Sequence, residues 1–271
     1  MRTTTSEIAE QCKSARLRIL EMAYSAHKGH IGSGLSVVEL VAVGLSVTRG
    51  LGAGSESRDR FVLSKGHSAN ALFALLNVMG HLRDSDLATY GHDDSYIATH
   101  PTPEIDGVDF ATGSLGQGIT YATGAALAAR LRGDDGRVYC VLSDSELDEG
   151  STWEAALIAS QLGLSNLTVV LDFNRQQALG RTRDVINVDG VPDAWAALGW
   201  NVARCAGHDV AALVAAVEDA HSIDAPSLIV ADTIAGNGVD FMEGKVEWHY
   251  LPMTDGQYTS AREQVAAREL V

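Results

Sequence analysis

Val138-Tyr139-Cys140-Val141-Leu142-Ser143-Asp144-Ser145 and Leu167-Thr168-Val169-Val170-Leu171-Asp172-Phe173-Asn174 are two short apolar runs, each ending in oxygen-bearing side chains. Continuous apolarity over so few residues predicts strands buried on both faces, Val138 to Leu142 and Leu167 to Phe173, as in a parallel sheet covered by helices. Between them, about Thr152 to Leu162 reads as the single helix that a parallel crossover needs. Working outward, a small-residue helix is expected from Gln117 to Leu131, after a strand Arg60 to Leu63 and a helix Ser68 to His81. On the other side, a helix Val191 to Leu198 precedes a strand Trp200 to Arg204, and a helix Val210 to Ala220 precedes a strand Ser227 to Asp232. The alternation predicts a doubly wound, mostly parallel α/β sheet with helices on both faces.

The flanks fit that frame. Ser6 can cap an opening helix whose stripe runs through Ile8, Cys12, Ala15, Ile19, Met22 and Ala26 and stops near Gly29. A glycine-rich turn, Gly29 to Gly34, leads into a second helix from about Ser36 to Val47, and a charged loop, Ser55 to Arg60, precedes the first strand. Asp84 to Thr112 has no clear period, and long aperiodic segments are often functional. Gly236 to Tyr250 reads as loop, and Ser260 to Leu270 as a last helix or an interface arm.

With 271 residues, 46% apolar and 20% charged, the chain has a globular composition. Its 20 Lys and Arg against 35 Asp and Glu give a net charge of -15, a surface that repels nucleic acid and anionic membranes. Cys12, Cys140 and Cys205 lack neighbours at metal-ligand spacing and read as reduced structural thiols. Neither a signal peptide nor a membrane span is read in the sequence, so a cytoplasmic location is expected.

In a doubly wound sheet, ligands sit beyond the carboxyl ends of the strands. Asp144 and Asn174, thirty positions apart, converge there if their strands are neighbours. Their hard oxygens, with the backbone carbonyl of Gln176, suit Mg²⁺ or Ca²⁺. Backbone N–H groups from Ser145 onward can point at a diphosphate carried by the same ion. An ordinary helix cap and turn would use the same residue types.

The segment Ser143-Asp144-Ser145-Glu146-Leu147-Asp148-Glu149-Gly150 resembles the thiamine diphosphate fingerprint of transketolases, which begins Gly-Asp-Gly and ends some thirty residues on in Asn. Other transketolase-like segments stand in order around it: Gly29-His30-Ile31-Gly32, Arg58 to His67, Thr99-His100-Pro101, Ala111 to Gly118, Gly207-His208-Asp209 and Val246 to His249. The resemblance covers nearly the whole chain. It implies Asp144, Asn174 and the Gln176 carbonyl as metal ligands, and His67, the Ser145 N–H and His249 around the diphosphate. Gly113, Ser114 and Leu115 would lie along the cofactor, while His30, His67, His100 and His249 would face the reacting carbon and the sugar hydroxyls. Glu149, with Glu154, matches acidic residues near the family's dimer interface. His27, His81, His92 and His221 stand outside these segments and read as ordinary surface or satisfied residues.

Histidines titrating near neutrality suit the proton transfers of ketol exchange. Two departures stand out. Serines replace the usual glycines at 143 and 145, which is tolerable if the backbone there is one an L-residue adopts. Furthermore, the family's complete chain is about twice as long, and the absent part carries the glutamate that protonates the aminopyrimidine and the groups that grip sugar phosphate. The resemblance therefore implies that residues 1–271 are one diphosphate-binding domain lacking the pyrimidine-binding domain. It would be the N-terminal subunit of a split transketolase, active with a separately encoded C-terminal subunit, in an α2β2 assembly on sugar or sugar-phosphate substrates. The competing expectations are the α subunit of another thiamine diphosphate enzyme, such as a 2-oxo acid dehydrogenase, and a non-catalytic homologue.

Overall fold

The computed structural model describes residues 3–52 and 58–268; the first half of the Ser55 to Arg60 loop and the end of the tail, including Leu270, lie outside the described residues. Five strands, β1 (Arg60–Leu63), β2 (Val138–Ser143), β3 (Leu167–Phe173), β6 (Asn201–Ala206) and β7 (Ser227–Asp232), form one sheet in the order β1-β2-β3-β7-β6. Every pairing is parallel, so all five carboxyl ends open along one edge. A small antiparallel hairpin, β4 (Gln176–Gln177) with β5 (Gly180–Arg181), follows β3 directly.

Two apolar layers sandwich the sheet. Along β2, Tyr139 and Val141 enter one core with α1 (Thr5–Ser25), α3 (Val38–Val47), α4 (Ala69–Val78) and α10 (Val210–Ala220), whereas Val138, Cys140 and Leu142 enter the other with α6 (Gly118–Arg132), α7 (Gly150–Gln161) and α9 (Val191–Ala197). Strands β2 and β3 are buried at every position, which is why their sequence is apolar without alternation. The edge strand β6 is half-exposed instead.

Several boundaries differ from expectation for identifiable reasons. Thr4, not Ser6, caps α1, through a capping box with Glu7. The glycine-rich segment is partly helical: α2 spans Ile31–Ser36 and is buried throughout. Its glycines serve close packing, since a Cβ on Gly34 would collide with the Asn70 carboxamide. A 3-10 turn, Asp144–Asp148, stands between β2 and α7, so Ser145 belongs to that turn and not to the α7 terminus. The aperiodic segment contains one short helix, α5 (Asp84–Leu87), and a four-residue helix, α8 (Thr182–Val185), follows the hairpin. The tail begins earlier than expected, as α11 (Asp255–Ala267) capped by Thr254, and packs back on α1 with Tyr258 stacked on Tyr24 at 4.1 Å.

Candidate functional site

Strands β2 and β3 are direct neighbours with Ser143 opposite Asp172, which brings Asp144 and Asn174 to the same stretch of the carboxyl edge. Asp144 is only 1% exposed and neither carboxylate oxygen has a hydrogen-bond partner. Among the described residues no other buried carboxylate leaves both oxygens so. Burial, reinforced by the charge of Asp172, pushes its pKa up to about 8. The Lys65 charge and the nearby backbone N–H groups of Arg175 and Ser145 moderate that rise, without hydrogen-bond geometry to either oxygen. A carboxylate in this state is short of a positive partner, and a divalent cation satisfies it. Asn174 supplies a carboxamide beside it, and its Oδ1 accepts the Gln176 N–H at 2.8 Å. No three His, Cys, Asp or Glu side chains gather at a metal-like spacing among the described residues. A cation here would have one carboxylate, a carboxamide and backbone oxygen, which leaves positions for phosphate and water as Mg²⁺ prefers.

Asp172, one strand over, is fully buried and fully occupied. Lys65 Nζ stands 2.5 Å from its Oδ2, to which the Asn174 amide also donates at 2.9 Å, while Ser36 Oγ (2.8 Å) and Thr233 Oγ1 donate to Oδ1. The hub fixes which way Asn174 faces, because its amide hydrogens are spent on Asp172 and on Ser36 Oγ at 3.1 Å.

The four histidines singled out from sequence meet beside this corner. His30 lies 5.5 Å from His67, 6.3 Å from His100 and 5.0 Å from His249, ring centre to ring centre, and His67 lies 5.2 Å from His249. They come from four separate places: before α2, after β1, the aperiodic loop, and the 3-10 turn Val246–His249. His30 is left-handed at φ 60 and is held there by its own N–H on the His249 carbonyl and by Asn70 on its own carbonyl. Burial lowers all four pKa values. For His30, His67 and His249 the Lys65 charge adds to this, and His249 falls to about 4. At neutral pH the cluster therefore consists of uncharged imidazoles, able to accept protons and to donate N–H hydrogen bonds.

Gly113, Ser114 and Leu115 run past the same corner. Gly113 takes φ +151, and a Cβ there would meet His100 at 2.8 Å, while a Cβ on Gly66 would meet the Gly113 N at 2.6 Å, so both positions require glycine for the loop to pass. Ser145 is not among the left-handed residues, so a serine sits there without strain, as the sequence reading requires. Its hydroxyl donates to Ser143 Oγ at 3.1 Å, and Ser143 donates to Glu146 at 2.9 Å. Glu146 also receives Ser64 Oγ at 2.5 Å and the Gly116 N–H at 3.1 Å, binding three loops of the site together. Glu149 is exposed, with its Cβ facing Gly116, and Glu154 is exposed on α7; neither approaches the histidines through any contact described within this chain.

Sequence reasoning missed Lys65, Asp172, Glu146 and Ser33, whose hydroxyl stands 3.2 Å from His249 Nδ1. A signal existed for Asp172, a lone carboxylate inside an apolar strand two positions before Asn174. Nothing in the sequence marked Ser33.

The family model for the transketolase thiamine diphosphate binding domain matches residues 8–268. The chain belongs to this transketolase family. A subunit of apulose-4-phosphate transketolase from Phocaeicola vulgatus is 35% identical over 275 residues, covering 99% of this chain and 96% of that protein. The 6-deoxy-6-sulfo-D-fructose transketolase subunit SqwG of a Clostridium species is 34% identical, covering 94% of this chain and 94% of that protein. Among solved structures, transketolase from Campylobacter jejuni superposes with a TM-score of 0.90 at 29% identity, covering 96% of this transketolase-family chain and 42% of its own. The chain thus spans less than half the length of the solved transketolases it matches. No helix among the described residues is long and apolar enough to cross a membrane.

Proposed function

We propose that this chain is the cofactor-binding subunit of a two-subunit transketolase, moving a two-carbon ketol unit from a ketose or ketose phosphate to an aldose. The observation that carries the reading is the buried, unpartnered Asp144 carboxylate beside a cluster of four neutral histidines. Mg²⁺, or Ca²⁺ in its place, would be held by Asp144, Asn174 and the Gln176 carbonyl, and would bring the diphosphate to the Ser145 N–H, His67 and His249. Gly113, Ser114 and Leu115 leave room for the cofactor body. Thiamine diphosphate, when bound, supplies the electron sink for carbon–carbon cleavage.

The chain's own side chains do the rest. His30 and His100, uncharged at pH 7, take the proton from the sugar hydroxyl next to the breaking bond and return it to the product. Their N–H groups steady developing negative charge on oxygen. The Lys65 charge, held in place by Asp172, biases His30, His67 and His249 toward the uncharged form.

Three relatives of matching length are named as transketolase subunits, which supports a separate partner supplying the other half. The assembly is taken as two such chains with two partners, on a sugar or sugar-phosphate substrate in the cytoplasm. The test is calorimetry and ketol-transfer assay of the chain alone and with the partner encoded next to it. Mg²⁺-dependent thiamine diphosphate binding, with transfer only in the presence of the partner, is expected. Full transfer by the isolated chain would overturn the split. Substituting His30 or His100 by Ala should lower transfer about 10²- to 10⁴-fold while cofactor affinity changes little.

A further inference from the structure

The turn bearing Asn174 and Gln176 contains a residue in an unfavourable conformation. Arg175 sits at φ 59, left-handed backbone that glycine adopts freely and arginine does not. The Gln176 N–H on Asn174 Oδ1 (2.8 Å) and the Thr182 N–H on the Arg175 carbonyl (3.1 Å) fix the backbone on either side.

The Arg175 side chain shows what else holds it. Its guanidinium lies 4.8 Å from the ring centre of Phe173, the last residue of β3, and 3.1 Å from Oδ1 of Asp232, the last residue of β7. Phe173 and Asp232 are register partners, and Asp232 pairs with Ala206 of β6 on its other side. Arg204 of β6 grips the same carboxylate with two bonds, Nε to Oδ2 at 2.6 Å and Nη2 to Oδ1 at 2.7 Å, and approaches the same ring at 5.5 Å. Two guanidiniums thus share one ring and one carboxylate across the ends of three strands. Each link is half-exposed, and a single such pair is weak in water. A two-point guanidinium–carboxylate contact adds geometric precision that a lone pair lacks.

We propose that Asp232, fixed by Arg204, is a positioning residue for the Asn174–Gln176 turn. It holds Arg175 in the left-handed conformation that presents the two oxygen ligands beside Asp144, and offsets the Arg175 charge next to the cation. The inference rests on the cation reading given above.

The test uses the full chain and the variants Asp232→Asn, Arg175→Gly and the two combined. Amide exchange at Gln176 and Thr182 is read without ligand, and Mn²⁺ binding with thiamine diphosphate is read by electron paramagnetic resonance. Asp232→Asn should speed exchange at both amides about tenfold and weaken Mn²⁺ about tenfold, the scale for a residue that orients a ligand. Arg175→Gly removes both the strain and the charge, so adding Asp232→Asn to it should change Mn²⁺ affinity no further. Arg204→Gln, on the exposed edge strand, should move both readouts in the same direction as Asp232→Asn and stands in should that variant not fold. Parent-like exchange in Asp232→Asn overturns the proposal, as does an equal loss of Mn²⁺ affinity in the Arg175→Gly background, which would assign Asp232 to sheet stability. Fast exchange with no Mn²⁺ bound by any chain, the parent included, overturns the cation reading and the proposed role with it.

Discussion

Asp144 and Asp172 stand at the carboxyl ends of neighbouring strands and are buried to nearly the same degree, 1% and 0% exposed, yet they live in opposite electrostatic conditions. The end of β3 surrounds Asp172 with a lysine, two hydroxyls and an amide. The end of β2 leaves both side-chain oxygens of Asp144 without a hydrogen bond. Burying a charge without a partner is costly, and among the described residues the chain accepts that cost for a whole carboxylate at Asp144 alone. The contrast separates a carboxylate tied into the framework of the site from one whose two oxygens are left unpaired.

The largest effect is expected at the satisfied member. Asp172→Asn leaves Lys65 buried without its counter-ion and should destabilise the chain by about 3–5 kcal/mol in urea unfolding; a loss no larger than that of a surface substitution would erase the distinction. Asp144→Asn should do the reverse, weakening Mg²⁺-dependent cofactor binding at least about 100-fold because an oxygen ligand loses its charge. The ligand-free protein should melt no lower than the parent. A melting temperature reduced as in Asp172→Asn would show that Asp144 is structural after all.

Removing both halves of the satisfied pair tests its purpose. Lys65→Met with Asp172→Asn should recover most of the stability lost in the single variant, since an apolar replacement of a buried pair is often neutral. The same double variant should raise the titration of His67 and His249, read by proton NMR, because the Lys65 charge that depresses them is gone.

The smallest predicted effect is on pH dependence. Folded His249 titrates at about 4 against an unfolded value near 6.5, so the unfolded chain binds more protons between these values. This contribution should hold above pH 6.5 and fall as pH drops toward 4; the Asp144 carboxyl, raised to about 8, acts in the opposite sense over the same range, so the measurement is made in the Asp144→Asn background. A flat unfolding free energy across that window would place the histidines in a more open setting than the one described.

The fold is readable because its signals are local. Unbroken apolar runs mark β2 and β3, and helical spacing marks α1 and α10. The misread pieces are those where tertiary packing overrides local pattern: Gly29 to Gly34 reads as a turn, but the contact of Gly34 with Asn70 makes a buried helix of its second half. The early start of α11 is masked by a polar first turn that Thr254 caps.

In the site, residue types and order identify Asp144, Asn174 and the histidines, since each stands at a strand end or in a short distinctive segment. Sequence alone determined the alternation of strands and helices, the acidic balance and the groups available for proton transfer. Only the tertiary structure decided that Asp144 lacks a partner, that Lys65 and Asp172 find each other across 107 positions, and that four histidines meet in one cluster in uncharged form. Those properties depend on burial and on distances between residues far apart in the chain, and both come into being only when the sheet closes.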